Sequence, residues 1–284
     1  MNTVTKILVA LLLLAGAGYV AWRVLQPEAP RLAELVQEAP ERVRKALTPS
    51  GDTAMPGAPT PVPEGASDST IEHPVETDPY AALPTLERSD GEFLDGLKPL
   101  LPGDAIARHF DTQGFIRRIV VAVDNLPGGR LPMKQRPVKA VGGEFVADGD
   151  DDDALTLSPS NYARYEPLIA LAEQVDANAL AALYRRYYPL FQQAWQELGY
   201  PDAYFNDRLV AVIDHLLAAE PVHEPVRLVR PHVLYRYADP ALEALSPGHK
   251  ILVRMGPQNA ERTKAVLRKW RAAIVSEEAG KRSP

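Results

Sequence analysis

The stretch YRRYYPLFQQAWQELGYPDAYFNDRLVAVIDHLL, from Tyr184 to Leu217, contains five tyrosines, a tryptophan, several carboxylates and one histidine. Its apolar residues recur in steps of three and four on both sides of a turn near Gly199. This spacing places them on one stripe of each of two helices. Aromatic side chains at helical spacing are more often core residues than ligand contacts. The stretch therefore predicts a helical hairpin whose two apolar faces pack inside a domain.

Three carboxylates around this turn, Glu197, Asp202 and Asp207, are the candidate catalytic residues. Two carboxylates about 5–10 Å apart can act together in glycosidic cleavage, but spacing across a turn does not give that separation. Such side chains also cap helices or pair with a neighbour such as Arg208. Because the sequence shows no set of nucleophile, base and orienting group, catalysis is the alternative to a binding role.

Residues 7–22, ILVALLLLAGAGYVAW, carry no charge, and the apolar run continues to Leu25. As a helix this run would rise about 28 Å, close to the thickness of the hydrocarbon core of a bilayer. The sequence therefore predicts a single-pass transmembrane anchor within residues 1–26. A cleaved signal peptide is the alternative, because Ala15-Gly16-Ala17 resembles a cleavage site, but the apolar run extends beyond that site.

The rest of the chain divides by composition. Residues 27–47 have apolar side chains at helical spacing and predict a juxtamembrane amphipathic segment. Residues 48–85 are rich in proline and predict a disordered linker, because they cannot bury enough apolar surface to offset the entropy of ordering. The globular domain is predicted over residues 86–275, followed by a disordered tail at 276–284. A short leader of this kind predicts a domain tethered to the cytoplasmic (inner) membrane and facing the periplasm.

The domain is predicted to be mainly α, with several helices and a small β-hairpin. Ser89 and Glu92 have the spacing of a capping box. Ser158, followed by proline, predicts the start of another helix, and Asp176 is placed to cap the helix that begins after it. Short β-type runs separated by glycines and an Asp-rich loop predict the hairpin within residues 137–157.

The segment VRLVRPHVLYRYADPALEAL, from Val226 to Leu245, alternates basic residues with apolar and aromatic ones. Guanidinium groups beside aromatic rings suit anionic or sugar ligands, which they bind by bidentate hydrogen bonds and stacking. Pro231 argues against a central strand, so an extended segment is expected. The favoured alternative is that the arginines pair with carboxylates of the helical hairpin and pin the extended segment to the domain. The candidate binding residues are Arg227, Arg230, His232, Tyr235 and Arg236.

Charge and residue usage exclude several classes of function. The formal net charge is −6, which argues against a nucleic-acid partner, because nucleic-acid binders usually carry a basic field. The chain has no cysteine, which excludes disulfides, thiol catalysis and cysteine metal sites. The histidines lack zinc-site spacing, and the acidic loop at 148–153 lacks the order of an EF-hand, so neither a metal nor a cofactor is expected.

Four segments together resemble a bacterial family of domains of unknown function, family 3014. They lie at residues 116–127, 161–171, 183–217 and 226–260, in this order along the chain. The resemblance covers about residues 86–274, and the apolar leader with its Pro-rich linker is similar to that of the family. It implies a membrane-anchored protein of the bacterial cell envelope. It implies no activity, substrate or catalytic residue.

These observations predict a membrane-tethered periplasmic binding or scaffold protein, held in the lipid bilayer by residues 7–25. Its expected partner is an envelope protein or a cell-wall polymer. The alternative is a cell-envelope hydrolase that uses the carboxylates Glu197, Asp202 or Asp207. An inverted anchor would instead make the domain an adaptor that faces the cytoplasm.

Overall fold

The structure is a computed structural model, and it describes residues 71–78, 80–128, 132–149 and 154–275. The predicted anchor, the juxtamembrane segment, most of the linker and the C-terminal tail lie outside these ranges. Among the helices within them, none combines the length and the apolar character that a membrane span needs.

Helices make up most of the described domain, which confirms the predicted mainly helical class. The α-helices are α1 (Ser89–Leu97), α2 (Ala105–His109), α3 (Phe115–Asn125), α4 (Glu166–Gln174), α5 (Ala177–Glu197), α6 (Phe205–Leu217), α7 (Pro240–Glu243), α8 (Pro247–Arg254) and α9 (Pro257–Val275). The strands are β1 (Ala147–Asp148), β2 (Thr156–Leu157), β3 (Leu228–Val229) and β4 (Arg236–Tyr237). Short 3-10 turns lie at Leu86–Arg88, Lys98–Leu100, Met133–Gln135 and Pro159–Arg164.

Helix α5 lies at the centre of the core and contacts α1, α3, α6 and α9. Its aromatic stripe is buried. The rings meet edge to face, with centroids 5.1 Å apart between Phe93 and Tyr187 and 5.2 Å apart between Tyr184 and Phe191. This geometry adds to the free energy gained by burying the rings. The Tyr184–Leu217 stretch is therefore the inside of a helical domain, as predicted.

The carboxylates of Asp176 and Asp90 cap helices by accepting from backbone N–H groups. The Asp176 carboxylate accepts from two N–H groups in the first turn of α5, at 2.7 and 2.9 Å, which confirms the predicted cap. The Asp90 carboxylate accepts from the N–H groups of Gly114 and Phe115 at 2.7 and 2.8 Å, and so caps α3 from another helix. Each cap satisfies backbone donors that have no partner within their own helix.

The capping box predicted at Ser89 is wrong. The Ser89 hydroxyl donates to the carbonyl of Leu86 at 2.8 Å, and the Glu92 carboxylate accepts from the hydroxyl of Tyr187 at 3.1 Å. The physical reason is the 3-10 turn before α1, because Ser89 already has helical backbone angles when α1 begins. An N-cap requires an extended residue at that position.

Two small two-stranded antiparallel sheets pack beside the helices. Strand β1 pairs with β2, β3 pairs with β4, and an isolated bridge joins the two pairs. The register places Ala147 opposite Leu157, Leu228 opposite Tyr237, and Thr156 opposite Arg227. The pair β1–β2 confirms the hairpin predicted within residues 137–157. The second hairpin was predicted only as an extended segment, and Pro231 fits it because proline lies in the loop between the strands.

The two hairpins share an apolar cluster, which joins them to helix α8. Its buried members come from both hairpins and from Val253 of α8. They are Leu155, Leu157, Val226, Leu228, Tyr237 and Val253. Because alternate residues of a strand point to opposite faces, β3 and β4 bury Leu228 and Tyr237 and expose Val229 and Arg236.

Residues 71–78, which the sequence predicts to be part of the linker, lie against the start of α6. The Asp207 carboxylate accepts from the backbone N–H groups of Glu72 and His73, at 3.1 and 2.7 Å. The amide of Asn206, a fully buried residue, donates to the carbonyl of His73 at 2.9 Å. The contacts of the domain therefore begin before position 86, because α6 supplies partners for the backbone of this segment.

Candidate functional site

A groove of about 980 Å³ runs along the C-terminal part of the domain. Residues 218–227, which we call the strap, connect α6 to β3 and form one part of its lining. Tyr162, the residues around α7, α8 and the start of α9 form the rest. A groove of this size is at the upper end of the range for drug-sized ligands, so a short segment of polymer also fits.

Apolar side chains and carboxylates dominate the lining. The larger apolar side chains are Val222, Val226, Leu242, Leu245, Leu252 and Val253. The carboxylates are Glu220, Glu224, Asp239 and Glu261, and the cations are Arg227 and Lys264. Because carboxylates outnumber cations, the groove matches a ligand with an apolar body and positive charges better than it matches an anion.

Two polar contacts hold the strap to the domain. The Lys264 ammonium donates to the backbone carbonyl of Ala219, and its Nζ also lies 3.4 Å from Oε1 of Glu261. The Tyr162 hydroxyl donates to Oε1 of Glu224 at 2.5 Å. Burial raises the pKa of Tyr162, and its hydrogen bond to the Glu224 carboxylate raises the pKa further. The phenol therefore stays protonated and remains a hydrogen-bond donor at neutral pH.

A histidine pair and a serine connect α6 to α8 beside the groove. The rings of His215 and His249 stack in parallel, with centroids 4.1 Å apart and planes at 4°. His249 Nε2 lies 2.7 Å from the carbonyl oxygen of His215, which can only accept, so Nε2 carries the proton. His215 Nε2 lies 2.8 Å from the Ser246 hydroxyl, which also accepts from the backbone N–H of His249 at 3.2 Å. The serine thus caps α8 and anchors the imidazole of α6.

The free energy of unfolding should decrease as the pH falls below about 6.5, with a contribution from His215. Burial lowers the pKa of His215 below its ordinary value of 6.5, and the charges of His249 and Arg208 lower it further. The unfolded state then binds more protons than the native state, so stability rises with pH and is lost as pH falls through the native pKa. Chemical unfolding between pH 5 and pH 8 measures the slope. His215→Gln should flatten it, whereas His223→Gln in the exposed part of the strap should not.

The five candidate binding residues lie on one hairpin but not on one surface. Arg227 lines the groove. The guanidinium of Arg230 lies 5.7 Å from the centroid of the Tyr235 ring, a cation–π arrangement, and Tyr235 packs against Phe145 at 5.3 Å. Arg236 of β4 and His232 of the loop are both exposed. The hairpin therefore contributes one cation to the groove and presents the other candidates elsewhere.

The three candidate catalytic carboxylates lie outside the groove lining. Glu197 pairs with the guanidinium of Arg117 and accepts from the amide of Gln193 at 2.9 Å. The hydrogen bond from Arg117 lowers the pKa of Glu197, whereas a general acid needs a raised pKa. Asp207 holds the segment at 71–78, as described above, and Asp202 is exposed in the turn between α5 and α6. Glu197 and Asp207 are therefore engaged in contacts that hold parts of the fold together.

Within the part of the chain that the structure describes, no three His, Cys, Asp or Glu side chains form a group that could hold a metal ion. Four of the aspartates of the acidic loop, at 150–153, lie outside the described residues.

Neither the groove nor the histidine pair was predicted from the sequence. Ser246-Pro247 carries a recognisable local signal, because serine before proline often starts a helix, and Ser246 does cap α8. The stacking of His215 on His249 has no such signal, because the two residues are far apart in the chain and no short motif links them.

A family model described as "Protein of unknown function (DUF3014)" matches residues 115–271. This range includes α3 through most of α9, and with them the groove, the strap and both hairpins. No curated protein and no solved structure matches the chain.

Proposed function

The chain belongs to the DUF3014 family of proteins of unknown function, and we propose that it is a membrane-tethered binding or scaffold protein of the bacterial cell envelope. The domain faces the periplasm, and its ligand lies in the groove beside the strap. The groove itself is the observation that carries this proposal, because it is large, mostly apolar and lined by more carboxylates than cations. The uncharged run at residues 7–22 supports the membrane tether.

Binding is favoured over hydrolysis by the positions of the polar side chains. The candidate acid and base residues Glu197, Asp202 and Asp207 are not among the residues that line the groove. The polar side chains of the groove are instead used in holding its walls, as the contacts of Lys264 and Tyr162 show. An apolar surface with a few polar groups fixes the orientation of a ligand without requiring a reaction.

A photoreactive amino acid at Val222, in the full chain expressed in cells, should form a covalent link to a discrete component of the envelope. The matched position Ala265 is exposed on α9 and outside the groove lining, and it should give no such link. A reporter that is active only outside the cytoplasm, fused to the C-terminus, should be active in intact cells.

Equal linking at Val222 and Ala265 would show that the groove is not the ligand site. A silent reporter, together with a fluorescent cytoplasmic reporter in the parallel fusion, would place the domain on the other side of the membrane. In that case the protein would be a cytoplasmic adaptor.

A further inference from the structure

We propose that the groove also binds a segment of the same chain, RVRKAL at residues 42–47, in competition with the external ligand. The inference rests on the proposed function, because it assigns a second occupant to the same groove. At helical spacing, Val43, Ala46 and Leu47 share one face of this segment, and Arg42, Arg44 and Lys45 provide three positive charges within four positions.

Charge complementarity selects this segment. The groove presents the carboxylates of Glu220, Glu224, Asp239 and Glu261 around its apolar side chains. Glu220 is exposed and can approach a cation without breaking another described contact. Apolar side chains flanked by cations therefore match both the lining and its charge, whereas an acidic segment would be repelled.

The length of the intervening chain allows the contact. Glu72 is fixed to Asp207 in the first turn of α6, and the groove begins at Ala218, just after the end of that helix. Eleven residues of helix separate the two points, a rise of about 16 Å. Residues 48–70 between the segment and the domain have a root-mean-square span of roughly 26 Å as a flexible coil, so the segment can reach the groove.

Attachment within one chain makes even a weak contact effective. A short flexible connection gives an effective concentration on the order of 1 mM, so a segment with a dissociation constant of about 0.1 mM would occupy the groove about ten times as often as not. An external ligand must displace the segment, which raises its apparent dissociation constant by the same factor. The segment is thus an intramolecular competitor, and it raises the ligand concentration that is needed to occupy the groove.

The chain has no cysteine, so two introduced cysteines are its only thiols. Spin labels on Glu41→Cys and Ala244→Cys, in the full-length protein in detergent micelles, report the distance between the segment and the rim of the groove. We expect a narrow, short-distance population. Labels on Ala58→Cys and Ala244→Cys should give a broad distribution, because position 58 lies in the Pro-rich linker.

Reversing the charges of the segment with R42E, R44E and K45E should weaken its binding to the groove about ten-fold, as expected for three exposed ion pairs. The short-distance population should then fall from about nine-tenths of the molecules to about half. The matched change R31E, outside the six docked residues, should leave the population unchanged. Adding Glu220→Lys to the reversed segment should restore part of it. A broad distribution that is the same in the original and reversed segments would overturn the proposal.

The two proposals fail in different ways. If the short-distance population were absent but photolinking at Val222 persisted, the external ligand site would be supported and only the competing segment would be rejected. A short-distance population without photolinking would identify the segment as the occupant and remove the external ligand.

Discussion

Replacing Gly256 by alanine should lower the free energy of unfolding by about 2–5 kcal/mol. Gly256 joins α8 to α9 with a φ of 82°, a left-handed conformation that costs other residues about 1–2 kcal/mol. A Cβ atom there would also lie 2.6 Å from the ring of Tyr162, too close for any side chain. The ring would have to move, and with it the hydroxyl that holds Glu224 of the strap.

Urea unfolding followed by circular dichroism measures this effect. The matched control is Gly91→Ala in α1, where a Cβ atom would meet nothing within 4 Å. Alanine in a helix interior is favoured over glycine by about 0.5–1 kcal/mol, so the control should be as stable as the original protein or more stable. If Gly256→Ala behaved like the control, the close packing of α8, α9 and Tyr162 would not contribute to stability.

Replacing Phe93 by alanine should cost about 3–5 kcal/mol. The side chain is fully buried, and its ring centroid lies 6.0 Å from Phe115, 5.1 Å from Tyr187 and 5.8 Å from Phe191. Removing the ring would leave a cavity between α1, α3 and α5. Because these helices share one core, the whole domain should lose stability in a single transition, although α1 precedes the residues that the family model matches.

Asp95→Ala on the same helix is the matched control for this change. Its side chain is 68% exposed and pairs with Lys98 on the surface, so its removal should change stability by less than about 0.5 kcal/mol. Separate melting of α1, with the rest of the domain unaffected, would contradict the prediction.

Local signals predicted the helical part of the fold well. The steps of three and four in the Tyr184–Leu217 stretch correspond to α5 and α6, because one helical face must be buried. The Asp176 cap was also predictable, because its carboxylate accepts from backbone N–H groups only two and three residues further along the chain. Ser89 had an equally clear local signal, but the 3-10 turn before it had already fixed its backbone conformation.

Contacts between distant residues were not predictable. Asp90 caps α3, Asp207 binds the backbone of His73, and His215 stacks on His249, and in each case the two partners are far apart in the chain. The groove was missed for the same reason, because its lining combines Tyr162 with four later elements. The carboxylates that were candidates for catalysis show why such contacts matter. A carboxylate that is already bound to a partner, as Glu197 is to Arg117, is not free to act as an acid or base.

The hydrogen bonds between residues 71–78 and α6 determine which helices would first bear a mechanical force applied to the N-terminal side of the chain. Besides the bonds to Asp207, the backbone N–H of Val75 donates to the hydroxyl of Tyr204 at 2.8 Å, and the Tyr204 ring packs on Tyr188 of α5 at 5.3 Å. A pull on the N-terminal side of the chain is therefore transmitted to α6 and α5 before it reaches α1. In the proposed membrane-tethered protein, a pull through the tether would therefore load α6 and α5 and would not peel α1 from the core.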